Sequence, residues 1–554
     1  MAKPAPEAYS YPLLIKYLLE YGVERAPNKE IVYRDLVRYT WRGFYDRVKK
    51  LARALADLGV KPGMKVGVLD FDTHRYMELF FAVPMMGAVL HTINLRLPPK
   101  WILHTIRHAE DDVFVIRDEF VPLLEKVKGM LPPSVKWFII GSDKGEMPST
   151  TLEPAYEYEE LLKEAKPDYE FPDFDENTWA TLFYTTGTTG LPKGVWFTHR
   201  QIVLHTLSLI IHLSALPAES NLVTTDVIMP MVPFFHVHSW GIPYVAALLG
   251  MKMVLLGRYE PELIFELMRK EGVTVSHMVP TLLHMMVYHP KAEEYRDALS
   301  RWKVIIGGAA LPKGLAMRAR ELGIRVMAGY GLSETCPVLT IAVFKDHMLD
   351  WPEEAKLDVA IKTGFPLPLV RLRVVDEQMR DVPRDGKTIG EIVVRAPWLT
   401  QSYYKDPERS KELWRGGWLH TGDMAVWDEE GYIQITGRYK FMIKSGGEWI
   451  PPLALESILS MHEAVSEVAV IPVPSSRWGE RPIALVVLKP EYKGKVSEED
   501  LRKHMEKAVD EGKIVKWWIP DKFVFVDSLP KTSVGKIDYL KLIEQYKTMQ
   551  LPQL

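Results

Sequence analysis

The order of apolar and polar positions along the first 120 residues predicts strands that alternate with helices. Residues 38–60 place apolar side chains at helical spacing, and Gly59 marks the expected end of that helix. The apolar run KVGVLDF then predicts a buried strand, MELFFAVPMMGAV a helix and DVFVIRD a further strand. Strands that alternate with helices are typical of a parallel sheet with crossover helices, so we predict an α/β fold.

The pattern changes after about residue 365, which predicts several structural units. Short strand-like runs separated by turn residues indicate a small β-barrel-like subdomain at about 365–437. From residue 438 onward, helix-like and strand-like runs form a compact α+β pattern. We therefore expect a large N-terminal domain, 1–437, of α/β sheet subdomains plus the β subdomain, and a small mobile α+β C-terminal domain, 438–554. Residues 143–175, rich in Pro, Glu, Asp and Ser, are predicted to be an exposed connector.

Size, charge and cysteine content limit the classes of function. A chain of 554 residues is too long for one core, which agrees with several domains. The net charge of -3 gives no strong field for nucleic acid, so we expect no such partner. Cys336 is the single cysteine, which fits a reducing compartment and a cytoplasmic location. The longest apolar stretch, 241–256, is broken by Pro243 and Lys252, so no transmembrane segment is predicted.

The strongest local motif is the run TTGTTGLPKG, which follows the strand-like ATLFY. Glycine lets the backbone approach an anion closely, while hydroxyl and N–H groups can hold phosphate oxygens and a lysine adds positive charge. The run does not satisfy the Walker A pattern, and its alternative interpretation is a flexible surface turn. Its density of threonine and glycine favours phosphate binding by Thr185, Thr186, Gly187, Thr188, Thr189, Gly190 and Lys193.

Four further motifs follow in order: GGAA at 307–310, YGLSET at 330–335, TGD at 421–423 with GR at 437–438, and PKTSVGK at 530–536. Together with the threonine–glycine run they resemble the adenylate-forming (ANL) superfamily, most closely its AMP-binding acyl-CoA synthetases for medium- and long-chain fatty acids. The shared order along the chain makes this resemblance specific. It implies activation of a carboxylic acid by ATP to an acyl-adenylate, followed by transfer to the thiol of coenzyme A. ATP, Mg²⁺ and CoA are the implied cofactors.

The resemblance also implies roles in nucleotide binding. The residues concerned are Gly308, Ala309, Ala310, Gly329, Tyr330, Gly331, Ser333, Thr335, Asp423 and Arg438. The ring of Tyr330 can stack on adenine, and Asp423 can accept hydrogen bonds from the ribose hydroxyls. Glu334 and Thr185 are expected to hold Mg²⁺. The alternatives are a core tyrosine, a helix cap at Glu334, an Asx turn at Asp423 and a surface ion pair at Arg438.

Two lysines near the C-terminus are implied to act in different steps. Lys536 is expected to be catalytic, because a cation can stabilise the charge that builds as a carboxylate attacks the α-phosphate. Lys444, with Gly446 and Gly447, is implied to serve thioester formation, where the glycines let the pantetheine thiol approach. A rotation about residues 438–441 would present each face in turn. Many family members have an acidic hinge residue where this chain has Phe441, which leaves Lys440 as the alternative hinge.

The segment PFFHVHSWG, 233–241, contains two histidines at HxH spacing, which on a strand would allow a metal pair. No matching cysteine or carboxylate ligands accompany them. The resemblance instead implies an acyl pocket, with His236 beside the reacting carboxylate as a catalytic and substrate-binding residue. Trp240 is then the gate of an apolar tunnel; its alternative role is packed core.

Three functions are therefore compared. The first is a CoA ligase for medium- or long-chain fatty acids. The second is an adenylating enzyme for aryl or short acids, or one that loads a carrier protein. The third is a nucleotide-binding regulator without turnover, against which the presence of Lys536 and Glu334 argues. The expected partners are a small carboxylic acid and CoA; a homodimer and peripheral membrane contact are compatible with the resemblance.

Overall fold

The computed structural model describes residues 2–185 and 191–548, and two large sheets form the centre of its N-terminal part. The first sheet has seven strands, in the spatial order Ala155–Glu157, Trp137–Gly141, Val113–Arg117, Lys65–Leu69, Val89–Thr92, Trp179–Thr185 and Lys193–Thr198. Neighbouring strands are parallel except for the last pair. The interior strand Val113–Arg117 is buried along its whole length, as expected where helices cover both faces of a parallel sheet.

The second sheet has nine strands and is parallel at its centre. In spatial order these are Phe365–Pro366, Val338–Ile341, Arg325–Gly331, Lys303–Ile306, Val275–Met278, Val227–Pro230, Lys252–Leu255, Glu30–Tyr33 and Val37–Thr40. Antiparallel pairs occur at both edges. Two large parallel-centred sheets with intervening helices confirm the predicted α/β class.

Two smaller sheets follow. The third sheet is antiparallel, in the order Arg371–Val375, Gly390–Arg395, Leu419–Trp427 and Ile433–Arg438. The fourth contains Glu448–Ile450, Ile443–Ser445, Gly479–Leu488 and Val465–Ser475, with Lys522–Phe525 paired in parallel to the long strand Gly479–Leu488. The fourth sheet has its own hydrophobic core, built from residues between Ile443 and Phe523.

Seventeen α-helices connect and cover the sheets in the described part of the chain. They are Ile15–Arg25, Trp41–Leu58, His74–Met85, Pro99–Ala109, Val121–Lys126, Tyr158–Glu164, His199–Ile210, Ile242–Leu249, Pro261–Glu271, Pro280–Val287, Arg296–Leu299, Lys313–Glu321, Glu353–Ala360, Pro407–Leu413, Pro452–Ser460, Glu498–Asp510 and Tyr539–Tyr546. No helix within residues 2–185 and 191–548 has the length and apolar character needed to cross a membrane.

Local sequence signals set the ends of the helices. The helix Trp41–Leu58 begins after Thr40, whose hydroxyl accepts a hydrogen bond from the Gly43 N–H at 3.2 Å. It ends at Gly59, whose φ of 101° is left-handed and favours glycine. The helix predicted from the spacing of apolar residues in this segment is thus confirmed.

Candidate active site

A single continuous cavity of 1620 Å³ lies at the carboxyl ends of strands from the two large sheets. Its wall includes Thr185, Gly331, Asp423 of the third sheet and Lys536 of the C-terminal part. Ligands of α/β proteins bind in crevices at this end of the strands. A typical small-molecule pocket occupies about 300–1,000 Å³, so this cavity has room for more than one substrate.

Two residues flank the predicted phosphate loop and face each other across an antiparallel strand pair, Thr185 and Lys193. The predicted loop residues Thr186, Gly187, Thr188, Thr189 and Gly190 lie outside the described residues. The Lys193 Nζ donates a hydrogen bond to the Tyr403 hydroxyl at 2.9 Å and lies 3.6 Å from Glu334 Oε1. Burial lowers the pKa of Lys193, and the Glu334 carboxylate partly offsets this. A cation is therefore held beside the start of the loop.

The Glu334 carboxylate lines the cavity, and one of its oxygens, Oε1, is bound by neighbouring side chains. The Tyr403 hydroxyl donates to Oε1 at 2.7 Å, and the shortest Lys193 contact is also to Oε1. Oε2 accepts no hydrogen bond from any residue that the structure describes. Mg²⁺ prefers one or two carboxylates together with phosphate oxygens and water. A carboxylate with a free oxygen, in the cavity that Thr185 also lines, fits such an ion.

The turn after Tyr330 depends on a close backbone approach. A Cβ atom added at Gly331 would lie 1.9 Å from the Pro337 carbonyl oxygen, so only glycine fits there. The Thr335 hydroxyl accepts from the Leu332 N–H at 2.9 Å and also contacts the Pro337 carbonyl. Thr335 is fully buried and shapes the turn, whereas Ser333 and Glu334 line the cavity.

Tyr330, Asp423 and Arg438 form a connected group on the cavity wall. The Tyr330 hydroxyl donates to Asp423 Oδ2 at 2.7 Å, and Arg438 Nε lies 3.0 Å from Asp423 Oδ1. Burial raises the pKa of the Tyr330 hydroxyl, and the Asp423 charge raises that of the Arg438 guanidinium. These contacts fix the orientation of the Tyr330 ring at the cavity edge.

The glycine-rich segment after the strand Lys303–Ile306 lies against Lys536. Gly308 has a φ of 78°, and a Cβ atom added there would be 3.0 Å from the Lys536 Cε. Gly308, Ala309 and Ala310 line the cavity together with Gly329. The absence of a larger side chain at Gly308 therefore leaves room for the lysine.

Lys536 reaches the cavity from a loop docked on the N-terminal part of the chain. Asn94 Nδ2 donates to Ser533 Oγ at 3.3 Å, and Arg96 Nη1 donates to the Ser533 carbonyl oxygen at 3.3 Å. Within the described residues the Lys536 ammonium makes no hydrogen bond or ion pair. Burial, reinforced by the charge of Arg438, lowers its pKa from 10.5 to about 8.

The lowered pKa predicts a pH dependence. Lys536 is protonated below about pH 8 and neutral above, so any step that needs its charge should slow as pH rises through about 8. The measurement is kcat/KM for acid-dependent ATP–pyrophosphate exchange, which reports groups of the free enzyme, from about pH 6.5 to about pH 9.5. A rate that stays flat up to about pH 9.5 would contradict this role. Thioester formation from supplied acyl-adenylate, which the resemblance assigns to Lys444, is the control.

The two histidines of the HxH segment lie in different environments. His236 lines the cavity, where burial and the nearby charge of Lys536 lower its pKa to about 3, so it is neutral. His238 is buried and its Nε2 lies 2.7 Å from the Thr181 hydroxyl oxygen. In the described part of the chain no group of three or more histidine, cysteine, aspartate or glutamate residues is arranged to hold a metal ion.

Trp240 lines the cavity from a strained segment. Val237, His238, Ser239 and Trp240 all have positive φ, between 38° and 57°. A run of non-glycine residues in this region is energetically costly and is typical of functional sites. The Trp240 ring lies 5.4 Å from that of His277 and would be 3.0 Å from a Cβ atom added at Gly307.

Comparison with known proteins identifies the family. The family model for AMP-binding enzymes matches residues 19–404, and the model for the AMP-binding enzyme C-terminal domain matches residues 454–536. The chain belongs to the AMP-binding enzymes. The resemblance drawn from its motifs is confirmed.

Relatives match this AMP-binding enzyme over nearly its full length. A long-chain-fatty-acid–CoA ligase of Thermus thermophilus is 42% identical over 94% of this chain and 93% of its own. A 3-methylmercaptopropionyl-CoA ligase of Ruegeria lacuscaerulensis is 37% identical over 97% and 98% of the two chains. A medium-chain-fatty-acid–CoA ligase of Ectopseudomonas oleovorans is 34% identical over 96% of each. These relatives confirm the predicted enzyme class, an AMP-forming acyl-CoA synthetase, and with it the cofactors ATP, Mg²⁺ and CoA.

Solved structures share the fold. An anthranilate CoA ligase in complex with anthranoyl-AMP superposes with a TM-score of 0.83 at 24% identity, covering 97% of this chain and 98% of its own. ATP-bound MatB from Rhodopseudomonas palustris gives a TM-score of 0.81 at 24% identity, over 97% and 100% of the two chains. The architecture of this AMP-binding enzyme, a large N-terminal part and a smaller C-terminal one, is confirmed.

The residues assigned to thioester formation are not brought to the cavity of this enzyme. Lys444, Gly446 and Gly447 are exposed and do not line it. The Lys444 Nζ lies 5.1 Å from the Trp449 ring centre, and Gly446 lies beside Trp478. The cavity is therefore lined by Lys536 but not by Lys444, Gly446 or Gly447.

Sequence reasoning missed two cavity residues that hold the predicted ones in place. Tyr403 bridges Lys193 and Glu334, and His277 lies against Trp240 with its Nε2 2.9 Å from the Ser239 hydroxyl oxygen. Neither belongs to a recognisable motif. An aromatic pair at 403–404 and a histidine in a buried strand are common patterns, and only their contacts give them a role.

Proposed function

We propose that this enzyme converts a medium- or long-chain fatty acid into its CoA thioester through an acyl-adenylate. One observation carries the proposal: a single cavity is lined by the charged group around Lys536, by Trp240 and by a set of apolar side chains. The apolar lining comprises Leu209, Leu213, Ile242, Val338 and Ile341. An apolar extension beside the reacting centre suits an alkyl chain better than a compact polar acid.

In the first step the fatty acid carboxylate attacks the α-phosphorus of ATP and pyrophosphate leaves. Lys536 supplies positive charge where the two anions meet, and this charge is worth most as the transition state forms. Tyr330 offers a ring to adenine, and Asp423 accepts from the ribose hydroxyls. Glu334 and Thr185 would hold Mg²⁺, whose charge would offset that of the phosphates.

In the second step the CoA thiol attacks the carbonyl carbon of the mixed anhydride, and AMP leaves with the former carboxylate oxygen. Lys444 and the glycines 446 and 447 are proposed to serve this step after the C-terminal part, 438–554, rotates about residues 438–441. Their present exposed position agrees with such a motion, because Lys536 must withdraw before another face can enter. The large domain in this scheme comprises 1–437.

Trp240 is proposed to control entry to the apolar region. Trp240→Ala should shift the preference among acids towards longer chains, because removing the indole would enlarge the cavity whose wall Trp240 lines. The change expected in the ratio of kcat/KM between C16 and C8 acids is about tenfold, the order reached by differences of a few methylenes in an apolar pocket. Trp179→Ala, outside the cavity, is the control. An unchanged chain-length profile would contradict the gate.

The proposed function is tested by a panel of acids from C2 to C18, together with aryl acids, assayed for AMP release that requires CoA. The expected result is a maximum in the medium- or long-chain range. A maximum with aryl or short acids, or AMP release that requires a carrier protein instead of CoA, would select the second function considered above. Absence of acid-dependent pyrophosphate exchange would select a non-catalytic regulator.

Location and assembly complete the proposal. We place the enzyme in the cytoplasm, since CoA and ATP are available there and the single cysteine is buried and free. A homodimer and peripheral contact with membranes, as a source of fatty acid, are proposed as compatible arrangements. Sedimentation with and without phospholipid vesicles tests both.

A further inference from the structure

Tyr539 joins the Lys536 loop to the body of the C-terminal part. It begins the helix Tyr539–Tyr546, three residues after Lys536. Its hydroxyl lies 2.8 Å from Oε1 and 2.9 Å from Oε2 of Glu456, on the helix Pro452–Ser460. Lys536, Tyr539 and Glu456 line the same cavity. No role in the proposed chemistry yet requires the Tyr539–Glu456 pair.

Glu456 is buried without a cation. It is 7% exposed, accepts from the Val470 N–H at 2.8 Å, and forms no ion pair with residues of the described ranges. Burial raises its pKa to about 8, so it is protonated at neutral pH. The Tyr539 hydroxyl has one proton, so it can donate only one hydrogen bond. Both short contacts are hydrogen bonds when the hydroxyl donates to one Glu456 oxygen and the other, protonated Glu456 oxygen donates to the hydroxyl. The pair is thus a neutral, mutually bonded unit.

The loop that carries Lys536 is held together by its own hydrogen bonds. The Thr532 N–H donates to the Lys536 carbonyl at 2.7 Å, and the Asp538 N–H donates to the Pro530 carbonyl at 2.8 Å. The Lys536 N–H also donates to the Thr532 hydroxyl at 3.2 Å. A loop closed in this way moves as one piece, so its direction is set at its base. Tyr539 follows directly after that base.

The ring of Phe441, in the segment between the third and fourth sheets, stacks on the ring of Tyr539. The two rings lie 5.9 Å apart at 24°, a stacked arrangement. Phe441 is also the position at which this sequence departs from the acidic hinge residue that the family resemblance implies. Its ring thus connects the proposed hinge, residues 438–441, with the base of the Lys536 loop.

We propose that Tyr539 is a positioning residue for Lys536, fixed by its hydrogen bonds to Glu456 and by its stacking on Phe441. The inference rests on the proposed function and assigns Tyr539 to the placement of Lys536, not to the chemical step. Because Lys536 is needed only for adenylate formation, loss of the Tyr539 contacts should slow that half-reaction and leave thioester formation from supplied acyl-adenylate unchanged. A residue that merely stabilises the fold would affect both half-reactions alike.

The test compares two substitutions at Tyr539. Tyr539→Phe keeps the ring on Phe441 and removes the hydroxyl, and should lower acid-dependent ATP–pyrophosphate exchange by about tenfold, the order of one hydrogen bond. Tyr539→Leu removes the ring as well and should lower it by about a hundredfold. Thioester formation should stay within about twofold of wild type in both. Tyr546→Phe, on the same helix and with no hydroxyl partner in the described residues, is the matched control and should leave both rates unchanged.

A conservative change at the partner completes the design. Glu456→Gln keeps groups that can accept and donate towards Tyr539 and should retain most of the exchange activity, whereas Glu456→Leu should resemble Tyr539→Phe. Equal loss of both half-reactions in Tyr539→Phe, or no loss in Tyr539→Leu, would overturn the proposal. Wild-type exchange activity is measured in parallel, and its absence would instead refute the proposed function.

Discussion

Lys536→Ala should lose about 10²- to 10³-fold in the rate of acyl-adenylate formation, the loss typical when one group that stabilises transition-state charge is removed. The Lys536 ammonium reaches the cavity without a hydrogen-bonding or ionic partner among the residues that the structure describes, and burial lowers its pKa to about 8. A cation that is desolvated and unpaired is ready to interact with the phosphate and carboxylate oxygens. Exchange of labelled pyrophosphate into ATP, in the presence of fatty acid, measures the step.

The same Lys536→Ala variant should form acyl-CoA from supplied acyl-adenylate at nearly the wild-type rate. Lys531→Ala is the control, because Lys531 belongs to the same loop but pairs with Glu467. Survival of both half-reactions in Lys536→Ala would remove the lysine from the chemistry. Loss of both would indicate that the substitution disturbs the fold, which a thermal unfolding curve would reveal.

Glu334→Gln should lower adenylate formation by about a hundredfold at limiting Mg²⁺ and raise the Mg²⁺ concentration needed for half-maximal rate. The amide keeps the shape of the side chain and an acceptor for the Tyr403 hydroxyl, but it removes the charge that a hard cation prefers. The observable is the Mg²⁺ dependence of pyrophosphate exchange. Glu429→Gln, at an exposed site in the turn between the strands Leu419–Trp427 and Ile433–Arg438, provides the comparison.

An unchanged Mg²⁺ requirement in Glu334→Gln would show that the carboxylate serves only to hold Lys193 and Tyr403. In that case the variant should still be weakened, but equally at all Mg²⁺ concentrations. The two roles are therefore separated by the shape of the titration, and the size of the defect alone does not decide between them.

The sequence predicted the parts of the fold that depend on local pattern. The helix Trp41–Leu58 and the strand Val113–Arg117 follow directly from apolar spacing and from the glycine stop at Gly59. The segment 143–175 was predicted as an exposed connector, yet it contributes the edge strand Ala155–Glu157 and the helix Tyr158–Glu164. The prediction failed because the segment is rich in charged residues, although two of its side chains, Tyr158 and Leu162, are buried. Burial of these side chains stabilises the segment against the first sheet.

The candidate site was predictable where residues act through motifs and unpredictable where they act through distant contacts. Tyr330 and Asp423 belong to recognisable motifs, and in the structure the Tyr330 hydroxyl donates a hydrogen bond to Asp423 Oδ2 at 2.7 Å. Tyr403 and Glu334 are 69 residues apart, and Tyr539 and Glu456 are 83 apart. A tyrosine hydroxyl and a glutamate carry no signal of pairing at such separations, because the chain path that joins them is set by sheet order and not by local sequence.

The positions of the two lysines suggest how one chain serves two reactions. Lys536 lies in the cavity: its side chain packs beside Gly308, and its loop is held by the hydrogen bond between Asn94 and Ser533. Lys444 is exposed. Contacts between the N-terminal and C-terminal parts, such as His284 Nε2 with Ser466 Oγ at 2.9 Å, would have to break in a rotation. Side-chain contacts of this kind can break and re-form, as the proposed rotation requires.

The central claim is that a carboxylate oxygen of the fatty acid becomes bonded to the α-phosphorus of ATP within this cavity. Fatty acid labelled with ¹⁸O in both carboxylate oxygens, incubated with ATP, Mg²⁺ and CoA, tests it directly when the products are analysed by mass spectrometry. The account predicts one ¹⁸O atom in the phosphate of AMP for each acyl-CoA formed. AMP without ¹⁸O, or label in inorganic phosphate beside ADP, would contradict it.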